Sequence, residues 1–330
     1  MDIIALCMYY FGKKLKKGIE DSVKVLVVGA GAVGGYFGGR LLEKGGDVAF
    51  LVREKREKQL QERGLVIKSV HGDVTLTPNT LKAGEKAGCY DVVMFANKAY
   101  HLPKAIEDVK PFINKNTLIL PLLNGMAHME VLWKEFGKEN VLGGLCFIET
   151  TLDEQGTIIQ SSFSHDVKFG EWSGEITERV KELERLFSNC NARFRLSGRI
   201  VTDMWQKYLF ITAMSGVTTL FRAPMGPIYK GEYGQDILYT LLKEIATIMR
   251  AHGAPIDEDI EQKQLILMNQ MMPEMKSSMQ RDMEKGYEVE VDHLQGYLLR
   301  LAKNYDINTP LLKTVYHNLK IYEQKRISNF

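Results

Sequence analysis

The chain opens its regular pattern at Val23. Residues 23–28 are apolar except for Lys24, which predicts a strand buried on both faces of a parallel sheet. A glycine-rich hexapeptide, residues 29–34, follows and leads into a helical stretch that runs to Lys44. Residues 47–52 predict a second strand. Residues 65–70 and 74–77 flank His71-Gly72-Asp73 and predict a hairpin. Residues 91–96 and 118–123 predict two more buried strands. Strands alternating with helices at this spacing predict a parallel sheet with helices on both faces.

Further along the pattern changes. Residues 147–151, 157–160 and 167–169 predict short strands separated by turns, and 177–187 an amphipathic helix. Beyond Gly198 strand patterning stops. Residues 206–220, 236–251, 260–271 and 289–304 each predict a helix. The methionines between Met268 and Met283 fit either a flexible binding surface or gap-filling in a helical core.

The hexapeptide Gly29-Ala30-Gly31-Ala32-Val33-Gly34 is a G-x-G-x-x-G. Its place after a buried strand and before a helix is the context that a dinucleotide-binding turn requires. The first glycine permits the tight turn, the second the approach of a pyrophosphate, and the third close packing of helix on strand. The helix N-terminus then faces the phosphates. The end of the second strand separates the cofactors. An acid there accepts from the ribose 2′-hydroxyl of NAD; here Val52-Arg53 stands in its place, and a guanidinium suits the 2′-phosphate of NADP. Glu54 follows directly, and Lys55 and Arg56 equally fit a solvated basic face. NADP(H) is the expected cofactor.

These observations set the expected fold class: α/β, an N-terminal Rossmann domain (mostly parallel sheet with helices on both faces) followed by an all-α C-terminal domain. The expected division is an N-terminal extension, 1–21, an NADP-binding Rossmann domain, 22–197, and a helical substrate and catalytic domain, 198–330. A chain of 330 residues suits two domains. A net charge of +2 makes no electrostatic case for nucleic acid or an anionic membrane. The four cysteines, Cys7, Cys89, Cys146 and Cys190, lack zinc or redox spacing and are too sparse for a disulfide scaffold, so a reducing cytoplasm is the expected location. No His, Cys and carboxylate cluster has metal spacing, and no metal is expected. Residues 3–11 are apolar and Lys13, Lys14, Lys16 and Lys17 follow them, the reverse of a secretory signal. That run is far below the roughly 20 residues that span a bilayer. It fits a membrane-surface helix or, as expected here, an extension outside the fold, with no stable membrane insertion.

Several further motifs accompany the hexapeptide: Gly35 directly after it, Leu51-Val52-Arg53, Asn97-Lys98-Ala99, Asn124-Gly125, Trp205-Gln206-Lys207, Ser277-Ser278-Met279, and Glu290-Val291-Asp292 with Gly296-Tyr297-Leu298. In order and spacing, from about Val23 to near the C-terminus, the chain resembles the ketopantoate reductase (2-dehydropantoate 2-reductase) family. The resemblance implies NADPH-dependent reduction of the ketone of 2-dehydropantoate to (R)-pantoate, a step towards pantothenate and coenzyme A. It implies an active site in the cleft between a Rossmann and a helical domain. By resemblance Lys207 is the catalytic lysine, with Glu290 and Asn124 in the same catalytic set. Lys98 and Asn124 lie beside nicotinamide and substrate, and Ser278 and Glu290 bind substrate. A homodimer is kept as a candidate assembly.

The chemistry stands beside the resemblance. Reducing a ketone leaves negative charge on oxygen, which an ammonium stabilises and protonates. Trp205, Tyr208, Leu209 and Phe210 suggest a buried helix around Lys207, where a charge needs a partner, and Glu290 is the expected one. Each residue also has a plainer role: a helix-start carboxylate for Glu290, a turn signal for Asn124-Gly125, a helix cap for Ser278. One departure is clear. The family carries asparagines four and eight residues after the lysine; here Ile211 and Ser215 stand there. On a helix these sit about 40° and 80° round from Lys207, so both are expected to line the substrate site. A reductase of another small 2-keto compound is therefore the alternative, and a non-catalytic NADP-binding sensor a more distant one.

Overall fold

The computed structural model describes residues 23–328. The expectations for residues 1–21 lie outside them.

Strand β1 (Lys24–Val28) runs into helix α1 (Ala32–Glu43), then β2 (Asp47–Leu51) and α2 (Glu54–Arg63). A hairpin follows, β3 (Leu65–Ser69) and β4 (Val74–Leu76), with β5 (Asn79–Leu81) after it. Next come β6 (Val92–Phe95), α3 (Leu102–Val109), β7 (Leu118–Pro121) and α4 (Ala127–Phe136). Strands β1, β2, β5, β6 and β7 form a five-stranded, all-parallel sheet in the order β5-β2-β1-β6-β7. Chain order reverses between β1 and β6, and the register aligns Val28 with both Leu51 and Phe95, so the carboxyl ends of these strands finish together. In open sheets ligands sit at such a reversal.

The strands are apolar on both faces because each face meets a different core. Val25 and Val27 pack with Phe37 and Leu41 of α1 and with the hairpin residues Leu65 and Ile67. Leu26 and Val28 pack with Ile106 of α3, Leu132 of α4, and the helices of the C-terminal half.

A second sheet carries the predicted hairpin. The short strands predicted over 147–169 are longer here, β8 (Gly143–Leu152) and β9 (Ile158–Gly170), antiparallel with an irregularity between Ile148 and Thr150. Helix α5 (Glu178–Phe187) and strand β10 (Arg193–Leu196) follow, and β9 joins β10 and β3 in the order β10-β9-β3-β4. Burial along β9 alternates only in part, which is why its middle, residues 161–166, reads as a turn in the sequence, and the start of β8, residues 143–146, lies before the predicted strand.

From Ile200 the described chain is helical: α6 (Ile200–Phe221), α7 (Met225–Lys230), α8 (Gly234–Ala251), α9 (Ile260–Asn269), α10 (Ser278–Glu284), α11 (Gln295–Asn304) and α12 (Pro310–Ser328). Met268, Met279 and partly buried Met271, Met275 and Met283 belong to the core or pack on it, the gap-filling role. One expectation is corrected. The helix predicted over 289–304 starts only at Gln295, because residues before it are held by tertiary bonds instead: Val289 N–H donates to Glu323, and the Glu290 carboxylate accepts from the Ala99 N–H. Glu290 thus lies in an irregular segment just before the turn over 291–294, not at a helix start. No helix among the described residues is long and apolar enough to cross a membrane.

Candidate active site

The glycine turn sits at the sheet's reversal. Gly29 has φ of +98°, a conformation that side chains resist, and a Cβ there would lie 3.4 Å from the Asn97 nitrogen. A Cβ on Gly34 would stand 2.1 Å from the Gly29 carbonyl oxygen, so only glycine lets α1 approach β1. Gly31 differs: a Cβ there would meet nothing within 4 Å. The first α1 bond runs from Gly35 N–H to the Gly31 carbonyl. The N–H groups before it, those of Ala32, Val33 and Gly34, are the ones a helix start leaves for an anion. An open cradle beside Gly31 under a helix N-terminus fits a dinucleotide pyrophosphate.

Arg53 is exposed at the end of β2, as the N-cap position of α2. Arg56 is not a solvated basic residue. Its Nε donates to the Ala30 carbonyl at 2.9 Å and its Nη1 to Gly156 at 2.8 Å, which ties the glycine turn to the β8–β9 connection. Lys55 is exposed.

Helix α6 shares its core with the sheet, and this brings Lys207 to the end of β7. Lys207 is buried, 6% exposed, and its Nζ donates to Asn124 Oδ1 at 2.9 Å. The ammonium also lies 5.4 Å from the centre of the Phe147 ring of β8. Burial pulls the Lys207 ammonium below the ordinary lysine range, and neighbouring Cys146 and Glu290 work the other way. Its neighbour Tyr208 donates to the Leu294 carbonyl at 2.5 Å, fixing α6 against the turn before α11.

Glu290 does not bond Lys207, contrary to the expected pairing. Its Oε1 accepts from the Ala99 N–H at 2.8 Å and its Oε2 lies 3.6 Å from Lys98 Nζ. The Glu290 carboxylate is engaged instead by the Ala99 backbone donor and by a second lysine. Lys98 Nζ also meets Asp282 of α10 at 2.5 Å. Burial opposes the Lys98 charge, but Glu290 and Asp282 together outweigh it and hold Lys98 above the ordinary lysine range.

Asn124, Lys207, Lys98 and Glu290 are therefore drawn together through the ends of β6 and β7, helix α6 and the segment before α11. Ser278 is exposed as the first residue of α10, and the cap is its neighbour: Ser277 is buried and its Oγ accepts from Gln280 N–H at 3.0 Å and meets Thr218 Oγ1 at 2.7 Å. Ile211 is half-buried against the main core. Ser215 is buried, and its Oγ accepts from Gln295 Nε2 at 3.2 Å. Sequence reasoning missed Asp282, Phe147 and the pair His128 and His293. Their spacing carries no motif, and only the fold brings them here. Among the described residues no group of His, Cys, Asp and Glu is arranged to hold a metal.

Two family descriptions match the chain: "Ketopantoate reductase PanE/ApbA" over residues 25–174 and "Ketopantoate reductase PanE/ApbA C terminal" over 199–323. A Bacillus subtilis protein called uncharacterized oxidoreductase YkpB is 52% identical over 304 residues, 92% of this chain and 100% of the relative. A 2-dehydropantoate 2-reductase of a Nostoc species is 26% identical over 91% of this chain and 95% of the relative. A solved 2-dehydropantoate 2-reductase from Geobacter metallireducens superposes with a TM-score of 0.83 at 26% identity, covering 91% of this chain and 99% of that one.

The glycines separate into packing and ligand-facing positions, and this is testable. Gly34→Ala drives a Cβ to 2.1 Å from a backbone oxygen and is expected to cost about 3 kcal/mol of stability, the upper end for overpacking. Gly31→Ala is expected to melt with the native protein yet bind a nicotinamide dinucleotide more weakly. Thermal melts and cofactor titrations check both; a Gly31→Ala protein with native affinity contradicts the cradle.

Proposed function

The chain belongs to the ketopantoate reductase family and is an oxidoreductase, and on that premise we propose that it reduces 2-dehydropantoate to (R)-pantoate with NADPH, with Lys207 as general acid. The observation that carries the proposal is the buried Lys207 ammonium held by Asn124 at 2.9 Å. With the pyrophosphate of NADPH held by the glycine cradle, its reduced nicotinamide would supply the hydride. The residues supply the rest. Lys207 faces the developing alkoxide, stabilises its charge and gives it a proton. Asn124 orients that ammonium. Lys98, kept charged by Glu290 and Asp282, stands beside nicotinamide and substrate as a fixed cation for the substrate carboxylate. Ser278 and Glu290 contribute polar contacts from the helical side. The division proposed is a nucleotide-binding unit over 22–197 and a substrate unit over 198–330.

A second reading has its own observation. Ile211 stands where the family's first asparagine is, and Ser215 is already engaged with Gln295. A substrate hydroxyl left without a partner costs about 1–3 kcal/mol. A more apolar 2-keto compound is then the better substrate. A panel of 2-keto acids followed by NADPH absorbance separates the two. On this reading Ile211→Asn raises the catalytic efficiency for ketopantoate roughly tenfold to a hundredfold. Native preference for ketopantoate over every apolar analogue, with Ile211→Asn worse, removes the second reading.

The lysine mechanism fixes a pH dependence. A general acid is active while protonated, so the rate falls as pH rises through the Lys207 pKa. Burial lowers that pKa, so the alkaline limb is expected below the roughly 10.4 of a free lysine. Glu290 opposes the lowering, so Glu290→Gln moves the limb to still lower pH. Lys207→Ala is expected to lose about 10²–10⁴-fold in turnover while binding NADPH normally. An active Lys207→Ala enzyme, or a limb that Glu290→Gln shifts upward, contradicts the mechanism.

Cofactor choice is assigned to Arg53, exposed at the end of β2 while Arg56 is engaged by carbonyls. Arg53→Ala is expected to weaken NADPH binding roughly tenfold and NADH binding far less. Equal losses for both cofactors remove Arg53 from the 2′-phosphate.

A further inference from the structure

The hydrogen bond between Lys207 and Asn124 has a support behind it. Asn124 is followed by Gly125, whose φ is +83°, and a Cβ on Gly125 would lie 2.9 Å from Leu294 Cδ2 and 3.2 Å from His293 Cδ2. The turn is therefore pressed against the segment before α11. At that contact His293 Nε2 lies 2.7 Å from the Asn124 carbonyl oxygen. A carbonyl only accepts, so His293 Nε2 carries the proton and donates it to this bond. A second imidazole backs the first: His128 Nδ1 is 3.4 Å from His293 Nε2, with the rings 28° from parallel. His128 is 1% exposed, and its Nε2 has no partner.

Burial holds both imidazoles below the ordinary histidine range; for His128 the neighbouring His293 and Lys207 add to it, and for His293 Glu290 and the Asn124 bond oppose it. Neutral rings place no further cation beside Lys207. They also leave His293 free to act as a hydrogen-bond donor of fixed direction rather than as an acid.

We propose that His293 is a positioning residue for the reaction: its Nε2–H bond to the Asn124 carbonyl fixes the Asn124–Gly125 turn, and so aims the Asn124 side chain at the Lys207 ammonium. The peptide carbonyl and the amide belong to one residue, so a turn that rotates away from His293 carries Oδ1 away from Nζ. A misplaced proton donor costs rate without loosening the distant nucleotide cradle. The inference rests on the lysine mechanism proposed above.

The test uses ketopantoate and NADPH with the full chain. His293→Gln sets an amide donor near the place of Nε2 and is expected to keep kcat within about threefold of native, the bond being preserved. His293→Phe keeps a ring without a donor and is expected to lose about tenfold to a hundredfold in kcat, with KM for NADPH little changed. If His293→Phe does not fold by circular dichroism, His293→Asn replaces it: its shorter amide reaches the place of Nδ1 rather than Nε2, and the same loss is expected. Long-range proton–nitrogen spectra of histidine-labelled native protein are expected to show His293 as the neutral Nε2–H form. A native rate in His293→Phe or His293→Asn overturns the proposal. So does a His293→Gln loss as large as theirs, or an Nδ1–H tautomer. Lys207→Ala measured alongside separates the levels. If it is inactive while His293→Phe is native, only the positioning role fails; if it is active, the mechanism beneath it fails.

Discussion

A lysine ammonium taken out of water has to meet something polar, and in this protein that demand falls on the seam between sheet and helices. Lys207 comes from a helix whose other faces are core, and it reaches the carboxyl end of the sheet only because the sheet and the helices share one apolar cluster. Without Asn124 at that place the buried charge would have no hydrogen-bond acceptor and would be expelled or lost. The Asn124 position in turn depends on a turn that only glycine makes easily, packed against Leu294 and His293. Hydrophobic docking, one backbone turn and one amide thus define where a proton is held.

The two lysines of the site show how one residue type takes two roles. Lys207 has an amide for a partner, and burial pulls its pKa down. Lys98 has two carboxylates, and they hold its pKa up. Under the proposed mechanism the first exchanges its proton and the second remains a cation, a separation of roles by environment of the kind that lets a site run acid chemistry beside charge recognition. The segment around α10 supplies much of this setting. Asp282 meets Lys98, Arg281 pairs with Glu149 of β8 at 2.7 Å, and Lys285 donates to Thr151 at 2.9 Å. Ion pairs that remain partly open to solvent contribute only modestly to stability. Their role is registration of the helical half against the sheet.

What the sequence made legible was whatever local physics decides. The glycine turn could be read because strand, turn and helix must meet within a few residues. The parallel strands could be read because both their faces are apolar. The helices after Ile200 followed from periodicity. The second sheet was harder: β8 and β9 pair across an irregularity, and β3 joins β9 across some 90 residues of sequence, which no short window contains. Glu290 was read as the partner of Lys207, but tertiary bonds to Ala99 and Lys98 decide its place, and the following helix starts only at Gln295. Ser278 was singled out where its neighbour Ser277 holds the buried cap. His128 and His293 carried no signal at all, since only folding brings them to the Asn124 turn.

Under the proposed mechanism an ammonium at one place protonates the carbonyl oxygen. Chemical rescue checks that proton transfer at its source. Lys207→Ala leaves a space beside Asn124, and small primary amines added to this variant can stand where Nζ stood. The expected result is that methylammonium or ethylammonium restores NADPH oxidation with ketopantoate, with a rate that tracks the acidity of the added amine, while tetramethylammonium, which has no proton to give, restores nothing. Equal restoration by tetramethylammonium, or no restoration by any amine in a variant that still folds and binds NADPH, would contradict it.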